Sequence, residues 1–541
     1  MMKNNLMKIL ISCVLTVALC LGLGITSFAL PVSDDVSDHY FYDVQGSAAQ
    51  APIAYRTVKS VDYRQMGLSD TFEPVDLFVQ GDYLYILNRA GNSVVVLDRN
   101  YQKVTEIRSL VAAPGEEIPE LNNKKLDDNG NLVLDPDMAT ASKYQFNKPN
   151  GMYVNEDGDI YVADTENRRV VVFDIDGVVK SVVQAVKVTV LGSNFVFKPM
   201  KLAVDSGGGL QVIANGVNRG IMQIDDDGTF RQFIGAPPVK INATDWFWRQ
   251  FASKEQLAKM EVFVPTEYNN VSIDSRGFLY ATIGTIEAAS LKAAITAKDL
   301  SGSTTQIRRL NSSGLDSLRR KGFYPPVGDL SFDEKNPPEI VDVAIAPNGF
   351  YTMLDASSGR FFTYDDSGNF LFLAGGSGSQ TGRFKTAAAI ACWDDQMIVS
   401  DTAAKSITIF EETEYAKLIK EAVIANSSGQ YEKAKDLWSQ VVVYNSNTYI
   451  AYIGMGKAEM RMANVLYDDS RFEHYENALT YFSLATEKEN YSKAFTELQR
   501  ENMTKNFGLI VGSIAALIVA LVVLYFVMKH RKKKKKEGGA I

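Results

Sequence analysis

Short runs of β-branched and aromatic residues alternate with turns rich in Gly, Asp and Asn over a large part of the chain. In residues 148–177, the turn Glu156-Asp157-Gly158 and a later polar connection separate apolar runs at 152–154, 160–163 and 170–173. Apolar, β-rich runs bounded by turn residues predict strands. A fourth run at 178–183 completes the pattern, so this stretch predicts one four-stranded sheet.

The same pattern of strands and turns is repeated along the chain, and its six copies begin near residues 74, 148, 198, 265, 338 and 386. One copy cannot bury both faces of its small sheet, whereas a closed ring buries each sheet between two neighbours. The repeats therefore predict an all-β, six-bladed β-propeller. The sixth copy ends after its third strand, at Phe410, and the segment 54–61 is predicted to supply the missing outer strand.

These units resemble the NHL repeat family of β-propellers. The clearest instance is Tyr-Val-Ala-Asp-Thr-Glu-Asn-Arg-Arg-Val-Val-Val-Phe at 161–173, and the resemblance covers about residues 70–411. We assign residues 40–411 to the propeller. The family includes binding and sensor domains as well as lyases and lactonases, so the resemblance implies the fold much more strongly than any chemistry.

Beyond residue 411 the apolar pattern changes from a period of two to a helical period. Tyr475-Glu476-Asn477-Ala478 repeats Tyr431-Glu432-Lys433-Ala434 at a spacing of 44 residues. This resembles a tetratricopeptide pair lengthened by about ten residues. Residues 412–505 are predicted to form a tetratricopeptide-like (TPR-like) helical stalk, whose last helix continues towards the C-terminal apolar segment.

The N-terminus predicts export. Lys3 and Lys8 precede an apolar stretch at 9–28, and Ser27-Phe28-Ala29 has the small-x-small pattern that a signal peptidase reads. We predict a signal peptide over residues 1–29 that is cleaved after Ala29. An uncleaved anchor is the alternative, because the apolar stretch is long enough to span a bilayer.

The C-terminus predicts a membrane anchor. From Phe507 to Met528 the chain has 22 residues without a charge, about 33 Å as a helix, which matches a hydrocarbon core. The basic tail at 529–541 is expected to remain in the cytoplasm, which places the propeller and stalk outside the cell. Gly508 and Gly512 form a GxxxG pair that could mark a homodimer face, although small residues are common in such helices.

Charge and cysteine content limit the partners and the covalent chemistry that can be expected. The chain has 46% apolar and 22% charged residues and a net charge of −8, and both of its ends are basic, so the part between them is more acidic still. An acidic body argues against nucleic acid as a partner. Once Cys13 and Cys20 leave with the signal peptide, Cys392 stands alone in an apolar run, which predicts a buried, inert thiol and no intrachain disulfide.

None of the three histidines, His39, His474 and His530, lies within the six repeats, so a propeller enzyme that depends on histidine is not expected. A calcium-dependent enzyme could use carboxylates and amides instead. Asp76, Asn150 and Asn270 stand at the starts of inner strands and are the candidate calcium ligands. The alternative is that they are turn formers, which commonly precede strands.

Two aromatic segments are candidates for ligand binding. Trp246, Phe247 and Trp248 lie in an insert between the third and fourth copies, and Tyr324 opens a Tyr-Pro-Pro loop. Such rings can form a binding platform or be buried in the fold. Four inserts are expected to crowd one rim of the propeller, at 102–145, 236–261, 285–305 and 315–336.

These observations predict a membrane-anchored extracellular protein without catalytic activity, in which a propeller rim binds a glycan, a peptide or a protein partner. An accessory role in an envelope or transporter complex is one form of this prediction. The alternative is a calcium-dependent, lactonase-like hydrolase or lyase that uses the channel Asp and Asn residues.

Overall fold

The computed structural model describes residues 39–126, 132–138, 141–192, 195–236, 267–466 and 470–537. The predicted signal peptide lies outside these residues. Three strands precede the first blade: β1 (Tyr40–Tyr42), β2 (Ala48–Gln50) and β3 (Tyr55–Asp62). The β1–β2 hairpin packs beside the outer strand of blade 5.

Six small antiparallel sheets form a ring, and the first strands of neighbouring blades contact one another around its axis. Blade 1 consists of β4 (Pro74–Gln80), β5 (Tyr83–Asn88), β6 (Ser93–Leu97) and β7 (Lys103–Ile107). The next insert contains β8 (Val111–Ala112), β9 (Lys124–Leu126), β10 (Leu132–Leu134) and a 3₁₀ turn at Pro136–Met138. Blade 2 consists of β11 (Gly151–Val154), β12 (Ile160–Asp164), β13 (Arg169–Phe173) and β14 (Val178–Gln184), and β8 joins it in parallel.

The remaining blades follow in chain order. A 3₁₀ turn at Thr189–Leu191 leads to blade 3, which consists of β15 (Pro199–Val204), β16 (Leu210–Ala214), β17 (Ile221–Ile224) and β18 (Phe230–Ile234). Blade 4 consists of β19 (Asn270–Ile273), β20 (Leu279–Thr282) and β21 (Ile307–Leu310). Blade 5 consists of β22 (Ile340–Ile345), β23 (Tyr351–Asp355), β24 (Arg360–Tyr364) and β25 (Phe370–Gly375). Blade 6 consists of β26 (Ala387–Trp393), β27 (Gln396–Asp401), β28 (Ser406–Glu412) and β3.

The ring closes as predicted. Strand β3 pairs antiparallel with β28, and Val61 stands opposite Ile407. The N-terminal strand is therefore the outer strand of the last blade, so hydrogen bonds join the two ends of the propeller. Closure of this kind leaves no free first edge for another chain to pair with.

Blade 4 differs from the predicted four-stranded unit, because in the described residues it has three strands. After the turn at Gly314 the chain returns beside β21 through a single bridge, between Leu310 and Asp316. The backbone beyond it is held by Arg309, whose side chain donates to the carbonyl of Ser317 at 2.9 Å and pairs with Asp366 at 2.5 Å. Side-chain contacts thus replace the ladder of an outer strand.

A buried ion pair explains why the repeat at 161–173 contains Asp164 and Arg169. Asp164 accepts hydrogen bonds from Arg169 Nε and Asn167 Nδ2, both at 2.8 Å, and from the backbone N–H of Asn147 at 2.7 Å. Arg169 donates onward to the carbonyls of Lys143 and Gln145. Both charged side chains are fully buried. These residues of the repeat therefore fix the connection between the second and third strands, which is a structural role.

The C-terminal part is helical. One helix precedes it in the third insert, α1 (Ala288–Thr296), and the others are α2 (Glu414–Ser427), α3 (Tyr431–Tyr444), α4 (Tyr449–Val465), α5 (Ser470–Leu484), α6 (Lys488–Lys505) and α7 (Phe507–Glu537). Each of the helices α2 to α6 packs on the next one along the chain. This agrees with the predicted helical region, and its tetratricopeptide-like character stays a prediction.

The helical region shares a hydrophobic core with the propeller instead of standing apart as a stalk. Tyr55, Phe361 and Phe410 of the blades belong to the same buried cluster as Ile419 and Ala422 of α2. Ion pairs add to the contact, since Lys420 of α2 pairs with Glu412 and Lys417 pairs with Asp395 at 3.0 Å. Helices α2 to α4 are thereby fixed to blades 5 and 6.

Helix α7 is the predicted apolar helix. Residues Phe507–Lys532 are exposed and contain an 18-residue window with a mean hydropathy of 2.9, so this helix is long and apolar enough to cross a membrane. Gly508 and Gly512 have no heavy atom within 4 Å of the place a Cβ would take. The dimer face stays a prediction.

The expectation that all four inserts crowd one rim does not hold for the whole fourth insert: its later part packs on the third insert, where Val327 and Phe332 share a buried cluster with Leu291 of α1, but its start lies elsewhere. The first insert pairs Asp135 with Arg168, at the connection between the second and third strands of blade 2. In the fourth insert, however, Lys321 donates its N–H to the carbonyl of Ser367 at 2.7 Å. Ser367 lies between the third and fourth strands of blade 5, and alternating strand directions place that connection on the opposite rim. Most of the second insert lies outside the described residues.

Candidate functional site

The channel at the ring axis is one place where polar side chains meet. Inner strands of four blades carry a β-bulge near their start, at Pro74/Asp76, Pro199/Lys201, Ile340/Asp342 and Ala387/Ala389. Bulges re-aim side chains. Three of these four bulges bring a charged residue to the axis, namely Asp76, Lys201 and Asp342.

The charged groups in the channel bind one another and the neighbouring blades. Lys201 Nζ lies 2.9 Å from Asp76 Oδ1, and Asp76 Oδ2 accepts the N–H of Met152 in blade 2 at 2.8 Å. Asp342 accepts from the side-chain amide of Asn270 in blade 4 and, at 2.7 Å, from the N–H of Ile390 in blade 6. The network ties blades 1, 2 and 3 together, and separately blades 4, 5 and 6.

Burial raises the pKa of Asp342 to about 6, and the negative charge of Asp76 adds to this effect while the ammonium of Lys201 opposes it. A shift of this size in a cleft can mark a functional group. Here the Asp342 oxygens already accept hydrogen bonds from Asn270, Ile390 and Val343. The group is therefore part of the framework.

The three calcium candidates do not form one ligand set. Asp76 and Asn270 line a channel cavity of about 160 Å³. Asn150 lies apart, where it accepts from Arg89 Nη1 at 3.3 Å and donates to the carbonyl of Met200. The described residues contain no group of three His, Cys, Asp or Glu side chains that could hold a metal ion. Because the ammonium of Lys201 already neutralises Asp76, the donor set does not fit calcium.

Cys392 also lines the channel cavity. Burial raises the pKa of its thiol to about 11. The thiol therefore stays protonated near neutral pH, which agrees with the inert cysteine that the sequence predicts.

A larger cavity, of about 360 Å³, lies between blade 5 and the helical region, and we call it the cleft. One side is the loop Lys321–Pro325 with the blade 5 turn that contains Asp365. The other side is formed by α2, α3, α4 and the start of α6. Aromatic side chains contribute much of its wall: Tyr42, Phe323, Tyr324, Tyr364, Phe370, Trp438 and Tyr449.

Of the predicted binding residues, Tyr324 lines this cleft. Its hydroxyl donates to the carbonyl of Val44 at 3.2 Å, and the ammonium of Lys298 lies 4.7 Å from its ring centroid. Trp246, Phe247 and Trp248 lie outside the described residues. The structure therefore places one of the four candidates at a cavity.

Two polar atoms at the cleft lack a hydrogen-bond partner in the described residues. They are Nε1 of Trp438, in α3, and Oδ1 of Asn426, near the end of α2, and both are buried. Buried polar groups are normally paired, and leaving one unpaired costs about 1–3 kcal/mol. A bound ligand that supplies an acceptor to one and a donor to the other would remove that cost.

Lys457 of α4 is the deepest cation of the cleft. Burial lowers the pKa of its ammonium, and the carboxylates of Asp365 and Glu487 act in the opposite direction. No sequence pattern singles out Lys457, Asn426 or Trp438, since an apolar helical pattern with a buried Trp is typical of a packed helix pair. The signal that could have indicated the cleft is the presence of two polar side chains, Asn426 and Lys457, on helix faces that pack against the propeller.

Comparison with known proteins supports the fold. The family model for the NHL repeat matches residues 146–173, which contain the Asp164 network. The chain therefore contains an NHL repeat in blade 2 of its six-bladed β-propeller. No curated protein has a sequence that matches it.

Solved structures similar to this chain share little of its sequence. A catalytically inactive variant of virginiamycin B lyase from Staphylococcus aureus with quinupristin has 11% identity and a TM-score of 0.36, covering 66% of this chain and 100% of the lyase. A streptogramin B lyase has 12% identity and a TM-score of 0.37, covering 66% and 98%. A protein of unknown function from Bacteroides caccae has 10% identity and a TM-score of 0.33, covering 60% and 88%. Similarity at this level says nothing about activity.

Proposed function

We propose that this protein is a membrane-anchored binding protein without catalytic activity, and that its ligand occupies the cleft between blade 5 and the helical region. The observation that carries the proposal is the pair of buried, unpartnered polar atoms, Trp438 Nε1 and Asn426 Oδ1, at a cavity with aromatic walls. Such cavities with a few convergent polar groups are the usual form of small-ligand sites.

The channel supports this choice by contrast. A general base or a nucleophile must be able to reach a substrate, and its reactive atom must be free to exchange a proton. Asp76 is held by Lys201 and Met152, and Asp342 by Asn270 and Ile390. Reaction at either carboxylate would first break ties between blades.

The proposed location is the outer face of the cell membrane, with α7 as the anchor. The run of basic residues from Lys529 to Lys536 directly follows the apolar helix, and such runs remain on the cytoplasmic side. The propeller and the helices α2 to α6 would then face outwards, where glycans, peptides and envelope proteins are the available partners. Protease added to intact cells should remove the propeller and leave a small membrane-held fragment; a protected propeller would contradict this orientation.

The binding proposal is tested with the full chain in lipid nanodiscs, screened against glycan and peptide arrays. For any hit, Tyr324→Ala should weaken binding about tenfold or more, because it removes an aromatic wall of the cleft. Tyr83→Ala is the matched control, since Tyr83 is an exposed tyrosine on blade 1. A ligand whose affinity changes with Asp342→Asn but not with Tyr324→Ala, or turnover of a lactone that requires calcium, would overturn the proposal.

A further inference from the structure

We infer that the cleft binds a neutral, polyhydroxylated ligand, namely a sugar residue without ionic groups. This inference rests on the proposed binding function and specifies its ligand class. Four features of the cleft support it: its balanced charge, the occupied lone pairs of its carboxylates, its unpartnered donor and acceptor, and its aromatic walls.

The cleft has no excess of either charge. Three lysines, Lys298, Lys321 and Lys457, line it together with three carboxylates, Asp365, Glu487 and Glu489. A site for an ion normally presents opposite charges in excess, because burying an ionic group without compensation is expensive. Equal numbers of cations and anions favour a ligand without net charge.

The deep carboxylates are already occupied. Asp365 accepts from the N–H groups of Ser367 and Asn369, at 2.9 and 2.8 Å, and from Asn369 Nδ2 at 2.7 Å. The two oxygens of Glu487 accept from the N–H groups of Glu489 and Asn490, at 3.1 and 2.7 Å, and cap the start of α6. A cationic ligand would therefore have to compete with the backbone for these oxygens.

An anionic ligand fits poorly for the opposite reason. An anion would pair with Lys457, but the carboxylates of Asp365 and Glu487 already act on this ammonium. A ligand carboxylate at Lys457 would add a further negative charge beside Asp365, Glu487 and Glu489. A hydroxyl oxygen can accept a hydrogen bond from the ammonium without adding charge.

The unpartnered atoms also suit a hydroxylated ligand. Trp438 Nε1 can only donate, and Asn426 Oδ1 can only accept. A hydroxyl group does both, whereas a carboxylate only accepts and an ammonium only donates. A hydroxyl group could therefore satisfy either atom.

The walls and size of the cleft complete the match. Pyranose rings have apolar C–H faces that pack on aromatic rings, and the cleft presents tyrosine, phenylalanine and tryptophan side chains on both sides. Its volume of about 360 Å³ is in the range of small-ligand sites.

The test is calorimetric titration of the full chain in nanodiscs with neutral hexoses and neutral disaccharides, and with charge-matched analogues. Glucose, N-acetylglucosamine, glucuronate and glucosamine form one such series, in which the ring is kept and the charge changes. We expect at least one neutral sugar to bind, and its acidic and basic analogues to bind at least tenfold more weakly.

Variants locate the site. Trp438→Phe keeps an aromatic ring but removes Nε1–H, and should weaken the neutral sugar roughly tenfold, as the loss of one hydrogen bond implies. Trp393→Phe is the matched control, because Trp393 is also buried with an unpartnered Nε1 but lies in blade 6, outside the cleft. Asn426→Ala provides a second variant if Trp438→Phe unfolds the protein.

The outcomes distinguish a wrong ligand class from a wrong binding site. If a charged sugar or a peptide binds and responds to Trp438→Phe while no neutral sugar does, the ligand class is overturned and the binding function stands. If no sugar or peptide responds to any cleft variant, the cleft is not a binding site and both proposals fail.

Discussion

The channel and the cleft are both polar cavities in one chain, but they differ in whether their buried polar groups are all paired. In the channel, Lys201, Asp76 and Asp342 are held by one another and by backbone N–H groups of adjacent blades. In the cleft, Trp438 and Asn426 each leave a buried polar atom without a partner. Buried polar groups that pair internally stabilise a fold, whereas an unpaired buried polar group at a cavity is available to a ligand.

The largest expected effect comes from breaking the channel network. Lys201→Met removes the cation between two buried carboxylates, and should lower the free energy of unfolding by about 3–5 kcal/mol, as breaking a buried ion pair does. Chemical denaturation measures this change. Lys103→Met, at an exposed lysine of blade 1, should leave stability within about 0.5 kcal/mol. A channel variant as stable as that control would show that the network is not structural.

A smaller effect is expected from filling the wall of the cleft. A Cβ added to Gly454 in α4 would overlap Nε1 of Trp438, so Gly454→Ala should displace the indole and destabilise the protein by about 1–3 kcal/mol. It should also weaken ligand binding. The helical control is Gly508→Ala, which has open space at the Cβ position. Equal unfolding midpoints for the two variants would contradict this packing.

The smallest effect concerns pH. The pKa of Asp342 is raised from 3.8 to about 6, so the folded state holds a proton that the unfolded state releases between these values. The stability that Asp342 gains from this proton is therefore fully present below about pH 4 and is lost as the pH rises through 6. The stability difference between wild type and Asp342→Asn should accordingly shift in favour of wild type from pH 7 to pH 5. Melting curves at both values measure it, and a constant difference would speak against the shift.

The propeller could be predicted from the sequence because each blade is a local unit. Turn residues and strand runs recur within about 30 residues, and the missing strand after Phe410 indicated closure by 54–61. The predicted strands at 160–163 and 170–173 agree with β12 and β13 within one residue. Local patterns of this kind determine register and turns directly.

The cleft could not be predicted, because it is assembled from distant segments. Tyr42, Tyr324, Trp438 and Lys457 come from the N-terminal hairpin, the fourth insert and two helices. Their meeting depends on how the helical region packs on blade 5, and no periodicity in the sequence encodes that contact. The position of the start of the fourth insert was misjudged for the same reason, since blade 4 has no outer strand in the described residues to fix it.

The most direct test of the difference between the two cavities is the affinity of one bound sugar for two variants of the full chain. Asn426→Ala alters the cleft and Asp342→Asn alters the channel, each at a single buried polar side chain. We expect Asn426→Ala to weaken binding about tenfold while Asp342→Asn leaves the dissociation constant within a factor of two. Loss of binding with Asp342→Asn and none with Asn426→Ala would place the ligand in the channel and contradict the proposed site.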